Sequence, residues 1–180
     1  MRQDVSTGRE AGALARVAFV SGSPRTLLGS RSGLIRALVA RGVPVLCAAP
    51  DFSTEQSSQL LAIGGEQATF EVMPKGPRMF ADWTVKRELS HVLGNWRADI
   101  VIAMSERVMA LALLAARQAR VKRRIALLNG FVARGGMASD ANVDPLRASP
   151  RLLARALKVA DAAVFHNRDD LRELLEAGAL

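Results

Sequence analysis

The chain has 180 residues, 49% of them hydrophobic, which suits one globular domain with a sizeable core. Lys and Arg outnumber Asp and Glu by 25 to 17, and the net charge of +8 implies an anionic partner: nucleic acid, a phosphorylated substrate or a membrane surface. An aromatic share of 4%, with no Tyr, argues against a stacking platform for single strands, so no nucleic-acid partner is expected.

Residues 1–14 are polar and lack the apolar centre of a signal peptide, so they read as a flexible leader to a single domain over 15–180. Residues 17–21 form a short apolar run, a first strand. The segment Gly22-Ser-Pro-Arg-Thr-Leu-Leu-Gly29-Ser-Arg-Ser-Gly33 reads as a loop. Leu34, Ile35, Leu38 and Val39 then make the stripe of a helix over 34–41, closed by Gly42. Residues 45–49 are a second strand, and Ser53 caps a helix over 54–63 that ends at Gly64-Gly65. Alternation at 68–73 predicts a third strand, and Pro74 and Pro77 mark a turn. A helix over 82–93 follows, with Trp83, Val85, Leu89, Val92 and Leu93 as its apolar positions.

The run 100–104 is continuously apolar, as in a strand buried on both faces. Ser105 is placed as an N-cap, with Glu106 in the first turn, of a helix reaching 119. Residues 124–128 give a fifth strand ending at Asn129-Gly130, and a long Gly/Ala/Ser loop crosses 131–145. Ser149-Pro150 opens a helix to 159, 162–165 is a sixth strand, and 168–176 a last helix. Six strands alternating with helices predict a three-layer α/β/α, Rossmann-like domain with a mostly parallel six-stranded sheet. Right-handed crossovers give the order 3-2-1-4-5-6, with a flavodoxin-like order as the alternative.

In such sheets ligands bind beyond the carboxyl ends of the strands, and the chemistry-bearing residues fall there. Gly22, Ser23, Arg25 and Arg31 offer backbone donors and guanidinium groups to an anion at a helix start. The glycines at 22, 29 and 33 do not follow G-x-G-x-x-G, which disfavours a nicotinamide cofactor, although Asp51 stands where a ribose-binding acid would. Ser105 and Glu106 end the fourth strand; Glu106 could accept a sugar hydroxyl or act as a base, or simply start a helix. Asn129, Gly130, His166 and Asn167 end the fifth and sixth strands. Arg151, Arg155 and Lys158 recur at i, i+4, i+7, a stripe for anionic headgroups or a solvated face. Arg117, Arg120, Lys122, Arg123 and Arg124 crowd the opposite edge. Cys47 is the only cysteine, inside an apolar strand, so no disulfide framework exists and the cytosol is expected. His91 and His166, the only histidines, are far apart in sequence, and no metal site is expected.

Several of these stretches, taken in order, carry a family likeness: the 21–31 loop, the helix before Gly42, and the strand ending Ala-Pro-Asp51. Arg97-Ala-Asp99-Ile-Val-Ile, Leu127-Leu-Asn-Gly130 and Ala160-Asp-Ala-Ala-Val-Phe-His-Asn167-Arg-Asp-Asp170 continue it. Over roughly 15–180 the chain resembles the N-terminal half of family-4 glycosyltransferases, retaining nucleotide-sugar enzymes of the two-Rossmann-domain (GT-B) type. The resemblance implies an acceptor-binding domain for a saccharide, lipid-linked as in cell-surface polysaccharide synthesis, in peripheral contact with the inner face of the cell membrane. It implies that the nucleotide sugar is held by a C-terminal domain that this sequence lacks, with no cofactor and no metal here. The fragment alone would then be inactive. Gly22 to Arg25 would lie near the acceptor or donor phosphate, and Asn129 and Gly130 on the acceptor side. Many relatives carry a His after the fourth strand, where this chain has Ala103-Met104-Ser105, leaving Ser105 and Glu106 as substitutes. The alternative is a stand-alone, non-catalytic α/β module that binds an anionic ligand.

Overall fold

A computed structural model describes residues 14–72, 77–128 and 147–176, with backbone alone at 78 and 79. The elements run β1 (Val17–Val20), α1 (Pro24–Leu28), α2 (Ser32–Val39), β2 (Val45–Ala48), α3 (Thr54–Ile63), β3 (Glu66–Ala68), α4 (Arg78–Asn95), β4 (Ile100–Ala103), α5 (Glu106–Gln118), β5 (Arg123–Leu128), α6 (Pro150–Leu157), β6 (Ala162–Phe165) and α7 (Arg168–Glu176). All the strand pairs are parallel, and the sheet order is β3-β2-β1-β4-β5-β6. This is the doubly wound order expected from right-handed crossovers, and the flavodoxin-like alternative is excluded.

Alternate residues of each central strand feed opposite cores, as a period of two demands. Val17, Phe19, Val45 and Cys47 face one side, with Leu27 of α1, Ile35 of α2 and Leu60 of α3. Ala18, Val20, Leu46, Val101 and Ala103 face the other, against α4, α5 and α6. Helix α5 is apolar almost all round because it is buried almost all round; every residue from Glu106 to Leu113 is buried. Cys47 is fully buried, and burial pushes its thiol up to about 12, so it remains a protonated apolar filler.

The local punctuation works largely as its chemistry predicts. Ser53 and Gln56 form a capping box, and Gly64 ends α3 in the left-handed region (φ +85°), where a Cβ would come 2.9 Å from Val39. Ser149 caps α6 by accepting from the Leu152 N–H at 3.2 Å, with Pro150 in the first turn.

Three expectations fail for identifiable reasons. The third strand is Glu66–Ala68, not 68–73; it is an edge strand with exposed Glu66 and Gln67, so it carries no apolar signal. Phe70 and Val72 are instead buried after the strand, against the α4–α5 side. The segment read as a loop between β1 and the next helix contains a turn of helix, α1, capped by the Ser23 side chain. Helix α4 begins at Arg78, four residues early, and Trp83, expected among its apolar positions, is 54% exposed. The leader over 1–14, apart from Leu14, and the loop over 131–145 lie outside the described residues. Among the described residues, no helix is long and apolar enough to cross a membrane, and no group of three His, Cys, Asp or Glu could hold a metal ion.

Candidate functional site

Strands β1 and β4 are neighbours, although β2, β3 and four helices intervene in sequence, and their carboxyl ends form the topological switch point. There one turn of the chain lies closely against another. A Cβ on Gly22 would meet Ser105 Cβ at 3.1 Å and Ser105 Oγ at 3.3 Å, so only glycine lets the β1–α1 turn lie against the β4–α5 turn without displacement. Ser105 Oγ accepts from the Gly22 N–H at 3.1 Å and lies 3.3 Å from Ser21 Oγ, which in turn accepts from the Ser23 N–H at 3.3 Å. Ser105 does this at φ +67°, ψ +101°, a backbone conformation that a residue with a Cβ rarely adopts.

Ser105 therefore stands at the predicted position, but its side chain makes no cap bond to α5. It is turned towards the first loop and ties the two halves of the sheet together. Glu106 is a correction. It does not open into the cleft as a base; it is buried, its Oε1 accepting from the Ala148 N–H at 3.0 Å and its Oε2 lying 3.2 Å from Arg147 Nη1. Arg147 is 3% exposed, and this pair fixes the entry to α6 against α5.

Two other predicted binding residues have their polar atoms engaged locally. Ser23 caps α1 through the Arg25 N–H at 3.2 Å. Asn167 caps α7: its Oδ1 accepts from the Asp170 N–H at 2.7 Å while its Nδ2 donates to Asp170 Oδ2 at 3.1 Å. Asn167, three residues before Asp170 and ahead of a helix, is thus an N-cap, a signal available in the sequence. Arg25 is exposed, with no polar side-chain partner among the described residues. Arg31 and His166, 135 residues apart, are brought into contact, Nη2 to Nε2 at 2.8 Å. Asn129 and Gly130 lie outside the described residues. Arg151, Arg155 and Lys158 are all exposed, with Leu153, Ala156 and Leu157 buried beneath them, as the stripe predicted.

Sequence reasoning missed one surface. On α4, Phe80 is 62% and Trp83 54% exposed, and the Arg87 guanidinium lies 5.3 Å from the Trp83 ring centre. Their i, i+3, i+7 spacing was visible, but Trp83 was assigned to the core. Asp82 beside them binds Arg107 at the start of α5 (Nε to Oδ1, 2.8 Å), which holds this face next to the same carboxyl edge. A groove of about 600 Å³, lined by Asp51, Glu71 and Glu88 among others, lies beyond β2. Asp51 is there at φ +48°, a turn residue in the left-handed region that Asp tolerates.

The model of Glycosyltransferase Family 4 matches residues 33–179. No curated protein matches the sequence. Among solved structures, UDP-GlcNAc 2-epimerase from Neisseria meningitidis, determined with UDP-GlcNAc bound, superposes on 91% of the chain with TM-score 0.63 and 14% identity. MurG from Acinetobacter baumannii superposes on 87% with TM-score 0.61 and 14% identity. At those identities the likeness is one of fold. The chain spans 44% and 42% of those two proteins, less than half of each.

Proposed function

The chain belongs to glycosyltransferase family 4, and from that premise we propose that it is the acceptor-side half of a retaining glycosyltransferase. In the whole enzyme a sugar would pass from a nucleotide-sugar donor to a saccharide acceptor carried on a lipid diphosphate, in cell-surface polysaccharide synthesis. The observation that carries this reading is the switch-point edge. Gly22 and Ser105 hold a bare backbone turn in place, and Arg25 and Arg31 stand beside it without a carboxylate partner among the described residues. Such an edge binds an anion and leaves the catalytic partner groups to come from elsewhere, since Ser105 and Glu106 are engaged within the fold. The donor would be held by a second domain, which accords with a chain spanning less than half of the proteins it superposes on.

Titration of the chain with a short-chain prenyl diphosphate saccharide and with UDP-GlcNAc tests the assignment. Binding of the acceptor mimic in preference to the nucleotide sugar is expected; binding of the nucleotide sugar alone would overturn it.

A lipid-linked acceptor would bring the domain to an anionic surface, and the α4 face fits that surface better than the α6 stripe. Phe80 and Trp83 supply apolar and interfacial side chains with Arg87 beside them, whereas Arg151, Arg155 and Lys158 offer charge alone. Sedimentation with anionic vesicles should fall sharply in a Phe80→Ser, Trp83→Ser variant and only slightly in a triple Gln variant of the stripe. The reverse order would move the contact to α6.

A further inference from the structure

Strands β1 and β6 stand three places apart in the sheet, about 14 Å at the usual spacing. Arg31, entering α2 on the β1 side, nevertheless touches His166, the first residue after β6. Arginine has no lone pair to offer, so the guanidinium donates and the ring presents an unprotonated Nε2. The contact therefore spans the places that β4 and β5 occupy between them in the sheet.

The molecule's structural arginines are employed quite differently. Arg124 spends Nε on the Val159 carbonyl, Nη1 on the Val121 carbonyl and Nη2 on Asp161. Arg107 places Nε on Asp82 and Nη1 on the Val72 carbonyl. Arg31 has one neutral acceptor, on an exposed side chain, and its Nε–H is shut away from water with no acceptor among the described residues. A permanent cation whose buried Nε–H meets no acceptor among the described residues is a poor strut. It is a good anion ligand awaiting its anion.

We propose that Arg31 and His166 are the two jaws of a phosphoryl-group clamp spanning the β1 and β6 halves of the sheet, a proposal that rests on reading this edge as the ligand cleft. Without ligand the jaws hold each other. A phosphoryl oxygen displaces the imidazole because its contact with guanidinium is charge-assisted and bidentate, engaging an Nη and the idle Nε together. His166, released, turns a ring N–H towards a second oxygen. A group with oxygens for both jaws is a diphosphate ester, and this group is shared by a nucleoside diphosphate and by a prenyl-type diphosphate.

The test uses the isotope-labelled chain titrated with inorganic pyrophosphate, following the His166 ring nitrogens. Those resonances should move in the wild type, and affinity should weaken about tenfold in Arg31→Gln and comparably in His166→Gln, the size of one lost charge-assisted contact. Arg36→Gln, exposed on the same helix, should bind as wild type. Stronger competition by a short prenyl diphosphate would assign the clamp to the acceptor, and stronger competition by UDP to the donor. A His166 ring unmoved by pyrophosphate, or an Arg31→Gln variant that binds normally with a normal melting curve, overturns the clamp. Saccharide binding with His166 unmoved would overturn the clamp alone, whereas pyrophosphate binding without acceptor binding would remove the proposed function and leave the clamp.

Discussion

The two edges of the sheet are built on opposite principles. At the amino edge each carboxylate that precedes a strand grips the entry of its neighbour. Asp99 Oδ2 accepts from the Arg16 N–H at 2.9 Å, and Asp161 Oδ2 from the Arg124 N–H at 2.7 Å. The Arg124 fork then closes on Asp161 and two carbonyls, and Arg16 stacks 4.3 Å from the Trp96 ring centre. At the carboxyl edge the ties across the sheet are a serine hydroxyl held at positive φ and one arginine–imidazole contact. At the first edge Asp99 and Asp161 each face a cation, Lys122 and Arg124; at the second, Arg107 and Arg147 are paired within the scaffold, while Arg25 and Arg31 stand without an acid among the described residues. The first arrangement stabilises the fold, and the second is the one proposed to hold a ligand.

Glu106 is the residue that blurs this contrast, because it stands at the carboxyl edge and yet belongs to the scaffold. Glu106→Ala breaks the buried pair with Arg147 and should cost about 3–5 kcal/mol in urea unfolding, the usual result of removing one partner of such a pair. A loss below about 1 kcal/mol would mean that the pair is not structural. Asp161→Ala at the amino edge removes hydrogen bonds from a partly exposed carboxylate and should cost about 1–2 kcal/mol without altering ligand affinity. A change in affinity would show that the edges are coupled. Gly22→Ala sharpens the contrast from the other side. Its Cβ would press on Ser105, so stability should fall by about 1 kcal/mol while affinity for the acceptor mimic drops by more than about tenfold. Equal losses in both would make the Gly22–Ser105 contact a packing feature only.

The fold was legible because its signals are local and repeated. Apolar runs bounded by Gly, Ser and Pro placed five of the six strands, and handedness narrowed their order to two, of which the structure shows 3-2-1-4-5-6. The polar edge strand β3 carried no such signal. The site was legible only as a set of positions. Spacing put Ser105 and Gly22 at adjoining strand ends, but not that one would be strained against the other. Glu106 looked free because its partner, Arg147, is 41 positions away in sequence. Trp83 was misplaced because helical periodicity does not say which of two faces meets the core. The family-like stretches divide in the same way. Asp99, Asp161 and Asn167 pin strand entries or cap a helix, so those parts of the pattern report the scaffold rather than the chemistry.

On the proposed function, ligands enter at the carboxyl edge alone. Backbone amide shifts of the labelled chain, followed through a titration with the prenyl diphosphate saccharide, test it most directly. Displacement of the Gly22, Ser105, Arg31 and His166 amides, with Arg16, Asp99, Arg124 and Asp161 unmoved, is the predicted result. Shifts concentrated at the Arg16–Asp161 edge, with Gly22 and Ser105 still, would contradict it.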